Sequence, residues 1–258
     1  MSEKVIVITG ASAGIGAALA HELGGRGHRL VLCARRLDAL ERVAREAEEQ
    51  GSPETVAMVA DVTHRTDVEN VRDEAIETFG RVDVWINNAG RGILRRVLDL
   101  TDDDIDTMMA INLKSALYGM QAIVPYFIEQ ERGHVINISS FLGRVPLTPM
   151  RSAYSAAKAA LNALTANLRV DLRKEHPNVH VSLVMPGVVI TEFAGNALHS
   201  QGGLAAGARA HAQSPAQVAA QIADLIEQPC AEVLTNPAQH GVPERYYADV
   251  AAFEASMG

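Results

Sequence analysis

Tyr154 and Lys158 stand four residues apart in Arg151-Ser-Ala-Tyr-Ser-Ala-Ala-Lys-Ala-Ala-Leu-Asn-Ala-Leu, an Ala- and Leu-rich run that reads as a long helix. Residues at that spacing share a helix face, so a phenol and an ammonium can converge on one point. A free phenol titrates near 10 and is a weak acid–base at neutral pH. A fixed cation beside it favours the anion and moves the group toward working pH. The chemistry on offer is proton transfer to or from a substrate oxygen. Spacing alone does not separate this pair from a half-buried tyrosine and a solvated lysine, so the rest of the chain must decide.

The elements that would position the pair alternate between apolar strands and amphipathic helices. Lys4 to Thr9 is a β-branched run read as a buried parallel strand. It enters the turn Gly10-Ala-Ser12-Ala13-Gly14-Ile15-Gly16 and then a helical pattern. Strand, glycine turn and helix form the context of a phosphate-binding loop. Gly10 would allow the tight turn, Gly14 the approach of a pyrophosphate, and Gly16 close packing of helix on strand. The helix N-terminus then offers free N–H groups to an anion.

Further strands are expected at His28–Ala34, Thr55–Ala60, Val82–Ile86, His134–Ile138, Val179–Met185 and Ala231–Thr235. Helices are expected at Leu37–Gln50, Arg65–Phe79 and Ile105–Gln130, around Tyr154, and from a capping box at Ser214-Pro-Ala-Gln217. Asn112 lies inside the third of these, where Asn is mildly unfavourable; solvent exposure is the plain explanation. Alternation throughout predicts one doubly wound α/β domain over residues 1–258, with a mostly parallel sheet of about seven strands. Phe193 to Gln213 lacks periodicity and is expected to be a lid over a pocket.

In such folds ligands bind at the carboxyl ends of the strands. The unusual segments Gly10–Gly16, Arg35, Asp61–Val62, Asn87–Gly90, Ser139-Ser140 and Pro186–Thr191 all fall there. Ala34 ends the second strand where an acidic residue would hold ribose hydroxyls. Arg35 follows, which suits a 2′-phosphate and hence NADPH; alternatively Arg35 and Arg36 only solubilise a loop. Asp61 either meets an adenine edge or caps its loop.

With 258 residues, 48% of them hydrophobic, the chain can bury a large core. A net charge of -8 with scattered Lys and Arg gives no footprint for nucleic acid or an anionic membrane. Cys33 and Cys230 have no metal spacing, and the acids Asp102 to Asp104 follow Thr101 as a capped helix start, so no metal site is expected. Neither a signal-peptide design nor an apolar span is visible, and a cytoplasmic location is the expectation.

Thr9-Gly-Ala-Ser-Ala-Gly-Ile-Gly16, Asn87-Asn-Ala-Gly90, Asn112, Ser140, Tyr154-x-x-x-Lys158 and Pro186-Gly187 with Thr191 resemble the short-chain dehydrogenase/reductase family, in the right order along almost the whole chain. The resemblance implies an NADPH-dependent oxidoreductase acting on a carbonyl or secondary alcohol. Tyr154 would be its acid–base. Lys158 would lower the phenol's pKa and hold the nicotinamide ribose, Ser140 would bind the carbonyl oxygen, and Asn112 would continue a proton relay. Thr191, with Pro186, Gly187 and Val189, would meet the cofactor, and Asn88, Ala89 and Gly90 would line its adenosine side. Ser140 is preferred over Ser139 because Phe-Leu-Gly143 follows it as in the family pattern. The family's basic residue before the second glycine is absent, Ala13 standing there, so the NADPH preference rests on Arg35. The resemblance also implies a homotetramer or homodimer.

Phe141, Leu142, Val145, Leu147, Met150, Val188 and Phe193 are expected to give the substrate an apolar pocket, with Arg91, Arg95 and Arg144 exposed on loops. An epimerase or dehydratase is disfavoured by the lack of an extra substrate domain. An NADPH sensor or scaffold without turnover is the reading from another class.

Overall fold

The computed structural model describes residues 2–200 and 211–256. Strands β1 (Val5–Thr9), β2 (Arg29–Ala34), β3 (Thr55–Val59), β4 (Val84–Asn87), β5 (Gly133–Ile138), β6 (Val179–Met185) and β7 (Glu232–Leu234) form one sheet in the order β3-β2-β1-β4-β5-β6-β7. Every pairing is parallel. The helices are α1 (Gly14–Gly25), α2 (Leu37–Gln50), α3 (Arg65–Phe79), α4 (Asp102–Met109), α5 (Ser115–Glu129), α6 (Ser152–Leu172) and α7 (Pro215–Glu227), followed by the short α8 (Val242–Ala248) and α9 (Val250–Ala255).

Alternate strand residues point to opposite faces, and here both faces are buried. Ile6, Ile8, Leu30, Leu32 and Ile86 meet α1, α2 and α7. Val7, Val31, Trp85 and Val135 meet α3, α5 and α6. Each such side chain contributes about 1.5–3 kcal/mol relative to leaving it in water. That is why the strands read as continuous apolar runs. Trp85, the chain's one tryptophan, is fully buried and donates its indole N–H to Asn87 Oδ1 at 2.8 Å.

The chain winds outward from β1 toward β3 and from β4 toward β7. The crevice between β1 and β4 is therefore the switch point at which such sheets bind ligands.

The expected helix Ile105–Gln130 is interrupted. α4 starts at Asp102 behind a Thr101–Asp104 capping box, and Ala110 to Lys114 form one wide π turn before α5. Wide turns of this kind are local departures from the i→i−4 ladder and recur at functional sites. Asn112 sits in this turn and is 1% exposed, so solvent exposure does not explain it. β4 ends one residue later than expected, bringing Asn87 into the sheet. Residues 201–210 of the expected lid lie outside the described residues. No described helix is long and apolar enough to cross a membrane.

Candidate active site

Thr9 ends β1 and its hydroxyl accepts from the amides of Asn88 and Ala89 at 3.0 and 3.1 Å. The Asn88 side chain donates back to the carbonyls of Thr9 and Gly10 at 2.8 and 3.2 Å. This reciprocal clamp fixes the glycine turn against the end of β4. Gly10 has φ +66, and a Cβ there would stand 2.8 Å from the Ala89 Cα. A Cβ on Gly16 would run into the Gly10 carbonyl oxygen, with the Asn88 amide 2.6 Å away. No side chain caps α1 at Ala13, and its first turn carries no acid, so its orphan N–H groups face the crevice. The turn is a cradle that only glycine geometry allows. It fits a dinucleotide's phosphates.

A cleft of about 640 Å³ runs from this cradle to Tyr154. Gly10, Ser12, Ala13, Gly14 and Ile15 line one end with Arg35, Asp61 and Val62. Asn88, Ala89, Gly90, Pro186, Gly187, Val189 and Thr191 line its middle, and Ser140, Tyr154 and Lys158 its far end. Gly16 and Asn112 support the cleft from behind. Asn87 faces away, its amide bonded to the Ala116 carbonyl and to Asn137 Oδ1 at 2.8 Å, so it is a core residue of the motif.

Asp61 accepts from the Thr63 amide and hydroxyl at 3.0 and 2.7 Å, which makes it a loop cap that also lines the cleft. Burial pushes its carboxyl up, but the Thr63 hydrogen bonds and the Arg35 charge hold it below the ordinary range. Arg35 is 63% exposed and lies 4.0 Å from Asp61. Its neighbour Arg36 reaches across to Ser12 Oγ at 3.4 Å. Arg36 was readable from its place after Arg35 and is the further arginine at this end.

At the far end, adjacent serines diverge as strand residues do. Ser139 Oγ turns to α6, contacting Asn162 Oδ1 at 2.5 Å and the Lys158 carbonyl at 3.3 Å. Ser140 Oγ accepts from the Leu142 amide at 3.1 Å, which leaves its own proton to donate into the cleft. Lys158 is 3% exposed and donates to the Ile138 carbonyl at 2.8 Å. Burial pushes its ammonium down to about 7. Asn112 accepts from the Arg91 amide at 3.0 Å and donates to the Arg91 carbonyl at 2.9 Å and that of Met108 at 3.1 Å. Its side chain thus holds the loop after β4 and makes no bond to Lys158.

The phenol runs against expectation. Burial pushes Tyr154 above the ordinary tyrosine value; the Ser140 hydroxyl and then the Arg151 charge pull it back only in part. Lys158 Nζ stands 5.9 Å from the centroid of the phenol ring.

The expected apolar lining is met in part. Phe193 lines the cleft, its ring meeting Tyr154 edge-on at 5.6 Å, and Leu142 packs in the same cluster. Phe141–Gly143 form a short helical turn, and Val145 is buried. Ile111, Ala197, Asn196 and Arg91 take their place. Arg91 is half-buried and its Nε donates to the Asn196 carbonyl at 2.9 Å. Parallel bridges Ile93–Leu198 and Arg95–Arg151 stitch the loop after β4 to the segments after β6 and before α6. Among the described residues no cluster of His, Cys, Asp and Glu could hold a metal.

The profile of the short chain dehydrogenase family matches residues 4–202. An uncharacterized oxidoreductase of Staphylococcus epidermidis is 36% identical over 191 residues, covering 74% of this chain and 80% of that protein. The X-ray structure of an alcohol dehydrogenase from the archaeon Thermococcus sibiricus, complexed with 5-hydroxy-NADP, superposes with a TM-score of 0.79 at 30% identity over 90% of this chain and 96% of that one. A short chain dehydrogenase/reductase from Burkholderia phymatum in complex with NAD gives a TM-score of 0.87 at 27% identity, over 97% and 95%.

Proposed function

The chain belongs to the short-chain dehydrogenase/reductase family, and on that footing we propose that it moves hydride between NADPH and the carbonyl or secondary-alcohol carbon of a small molecule, with Tyr154 as acid–base. It is an NAD(P)-dependent oxidoreductase. The observation that carries the finer reading is a buried phenol and a free-to-donate serine hydroxyl at one end of a cleft whose other end is a phosphate cradle.

The bound nicotinamide would supply or accept the hydride. The chain's own residues do the rest. Gly10, Ser12, Ala13, Gly14, Ile15 and Gly16 receive the pyrophosphate, with Thr191 closing over Gly14. Arg35 and Arg36 favour a 2′-phosphate, which supports NADPH over NADH. Asp61, Val62, Asn88, Ala89 and Gly90 border the adenosine side; Pro186, Gly187 and Val189 border the nicotinamide side. Ser140 donates to the oxygen on which charge develops. Tyr154 gives a proton to that oxygen or takes one from it, and Lys158 holds the ribose. Asn112 keeps the wall of the cleft in place. The described residues 192–200 of the expected lid (192–214) border the cleft, the protein works in the cytoplasm as a homotetramer or homodimer, and its substrate carries apolar groups.

The test is a fluorescence titration with NADPH and NADH on wild type, Tyr154→Phe and Arg35→Asp, followed by a panel of ketones and alcohols. NADPH should bind more tightly, and Arg35→Asp should erode that preference. Tyr154→Phe should keep cofactor binding and lose about 10²–10⁴-fold in turnover. Binding of neither cofactor would reject the reading; tight binding with no turnover on the whole panel would favour a sensor.

A further inference from the structure

Tyr154 has a cationic neighbour that the chemistry above does not use. Arg151 is the residue before α6, three positions ahead of Tyr154, and is half-buried. Its Nη1 donates to the Ile93 carbonyl at 3.5 Å and passes so near Gly92 that a Cβ there would lie 2.5 Å from it. The same Cβ would lie 3.0 Å from Phe193 Cε1. Phe193 is the ring that meets Tyr154 edge-on. Guanidinium, glycine, phenyl and phenol thus follow one another in contact beside the Tyr154 end of the cleft.

Two of the loop arginines face carboxylates and are neutralised. Arg95 pairs with Asp104 at 2.7 Å, and Arg144 pairs with Glu232. Among the described residues no carboxylate pairs with Arg151. A half-buried guanidinium without a counter-ion is costly unless its field is used. The charged and titratable groups around the phenol come from every packed element. Lys158 lies on its own helix, Ser140 after β5, Arg91 after β4 and exposed Glu192 after β6. Asp104 of α4 is engaged by His199 and Arg95. Lys158 is poorly suited to act alone, because burial pushes it down to about 7 and leaves it only partly charged at neutral pH. A guanidinium keeps its charge throughout.

We propose that Arg151 is a second cation for the Tyr154 phenol, a positioning residue that favours the phenolate through the cluster at Gly92 and Phe193. Its importance for turnover rests on the acid–base reading of Tyr154; its effect on the phenol does not. The prevailing direction of the phenol fits, since burial raises it and Arg151 is one of the two groups that pull it back.

The test is an NMR titration of the cofactor-free protein labelled with ¹³C at the tyrosine ζ carbon, from roughly pH 8 to 12, a window that reaches well above the ordinary phenol value of about 10 because burial raises Tyr154. The Tyr154 signal is assigned by its loss in Tyr154→Phe. In Arg151→Met the ionisation should move up by about one pH unit, a tenfold change in acid constant. Arg151→Lys should restore most of it. Arg151→Gln, which keeps a donor for Ile93, should behave like Arg151→Met and serves if the methionine variant fails to fold. An unmoved titration in a folded neutral variant overturns the proposal. The same variants are then assayed for alcohol oxidation, where the rising limb of kcat/KM with pH should shift with the phenol. If Tyr154→Phe keeps its turnover, the acid–base reading fails instead, whatever the titration shows.

Discussion

The two ends of the cleft are made of different material. The cradle beside β1 is main chain: a turn at Gly10, an uncapped helix start at Ala13, and a close approach at Gly16. The side chains of the turn itself are small, and Asn88 clamps its backbone carbonyls. The end at Tyr154 is side chain throughout, delivered by α6, the loops after β4 and β5, and the segment after β6. A backbone site is specified by what is missing, and an added Cβ is its main hazard. A side-chain site is specified by functional groups whose properties are set by burial.

That contrast can be broken. The largest effect is expected from Gly16→Val. Its new atoms meet the Gly10 carbonyl, which cannot move aside, so cofactor binding should vanish in calorimetry and stability should fall by about 1–3 kcal/mol. Normal binding by this variant would mean that the cradle is not what holds the phosphates. The serines sharpen the contrast at the next level. Ser140→Ala should cut turnover by about 10²–10³-fold with little change in melting. Ser139→Ala should do the reverse, costing about 1 kcal/mol of stability and leaving turnover near wild type. The opposite pattern would move the donor role to Ser139.

The last effect concerns Lys158 and is read in stability alone. In the unfolded chain a lysine stays charged up to about 10.4, whereas in the fold burial pushes it down to about 7. Between those values the unfolded chain binds more protons, so the protein should become more stable as pH rises through that window. Below it, the buried charge is a standing penalty. Lys158→Met should therefore raise the melting temperature of the cofactor-free protein at neutral pH and flatten its dependence on pH. The full span corresponds to at most about 5 kcal/mol, and relaxation around the amine will reduce it. A lower melting temperature in Lys158→Met would show that the bond to Ile138 outweighs the burial.

The same contrast explains what could be read without coordinates. Strand, glycine turn and helix are local signals, so the cradle and the parallel sheet were legible. α2, α3 and β6 fall on the expected residues, because Gly51, Gly80 and the β-branched run of β6 bound them locally. The wide turn at Asn112 was not legible, since a single Asn in a helical pattern does not reveal which carbonyls lose their partners. Nor was the state of Tyr154. Spacing placed Lys158 on its face, but the balance between charge and burial depends on packing from distant loops. The apolar lining was legible only in part, since residues 141–143 coil into a short turn that their sequence did not announce.

One consequence is practical. Trp85 is the only indole in the chain, lies fully in the core, and is hydrogen-bonded to Asn87, next to Asn88 of the cleft. Its emission is therefore a single-source signal, free of the averaging that clouds proteins with several indoles. Blue-shifted light reports the intact sheet, and a red shift reports unfolding at the switch point itself. Quenching by energy transfer to a reduced nicotinamide would report occupancy of the crevice. The fold carries its own optical gauge for stability and binding, and no label has to be attached to read it.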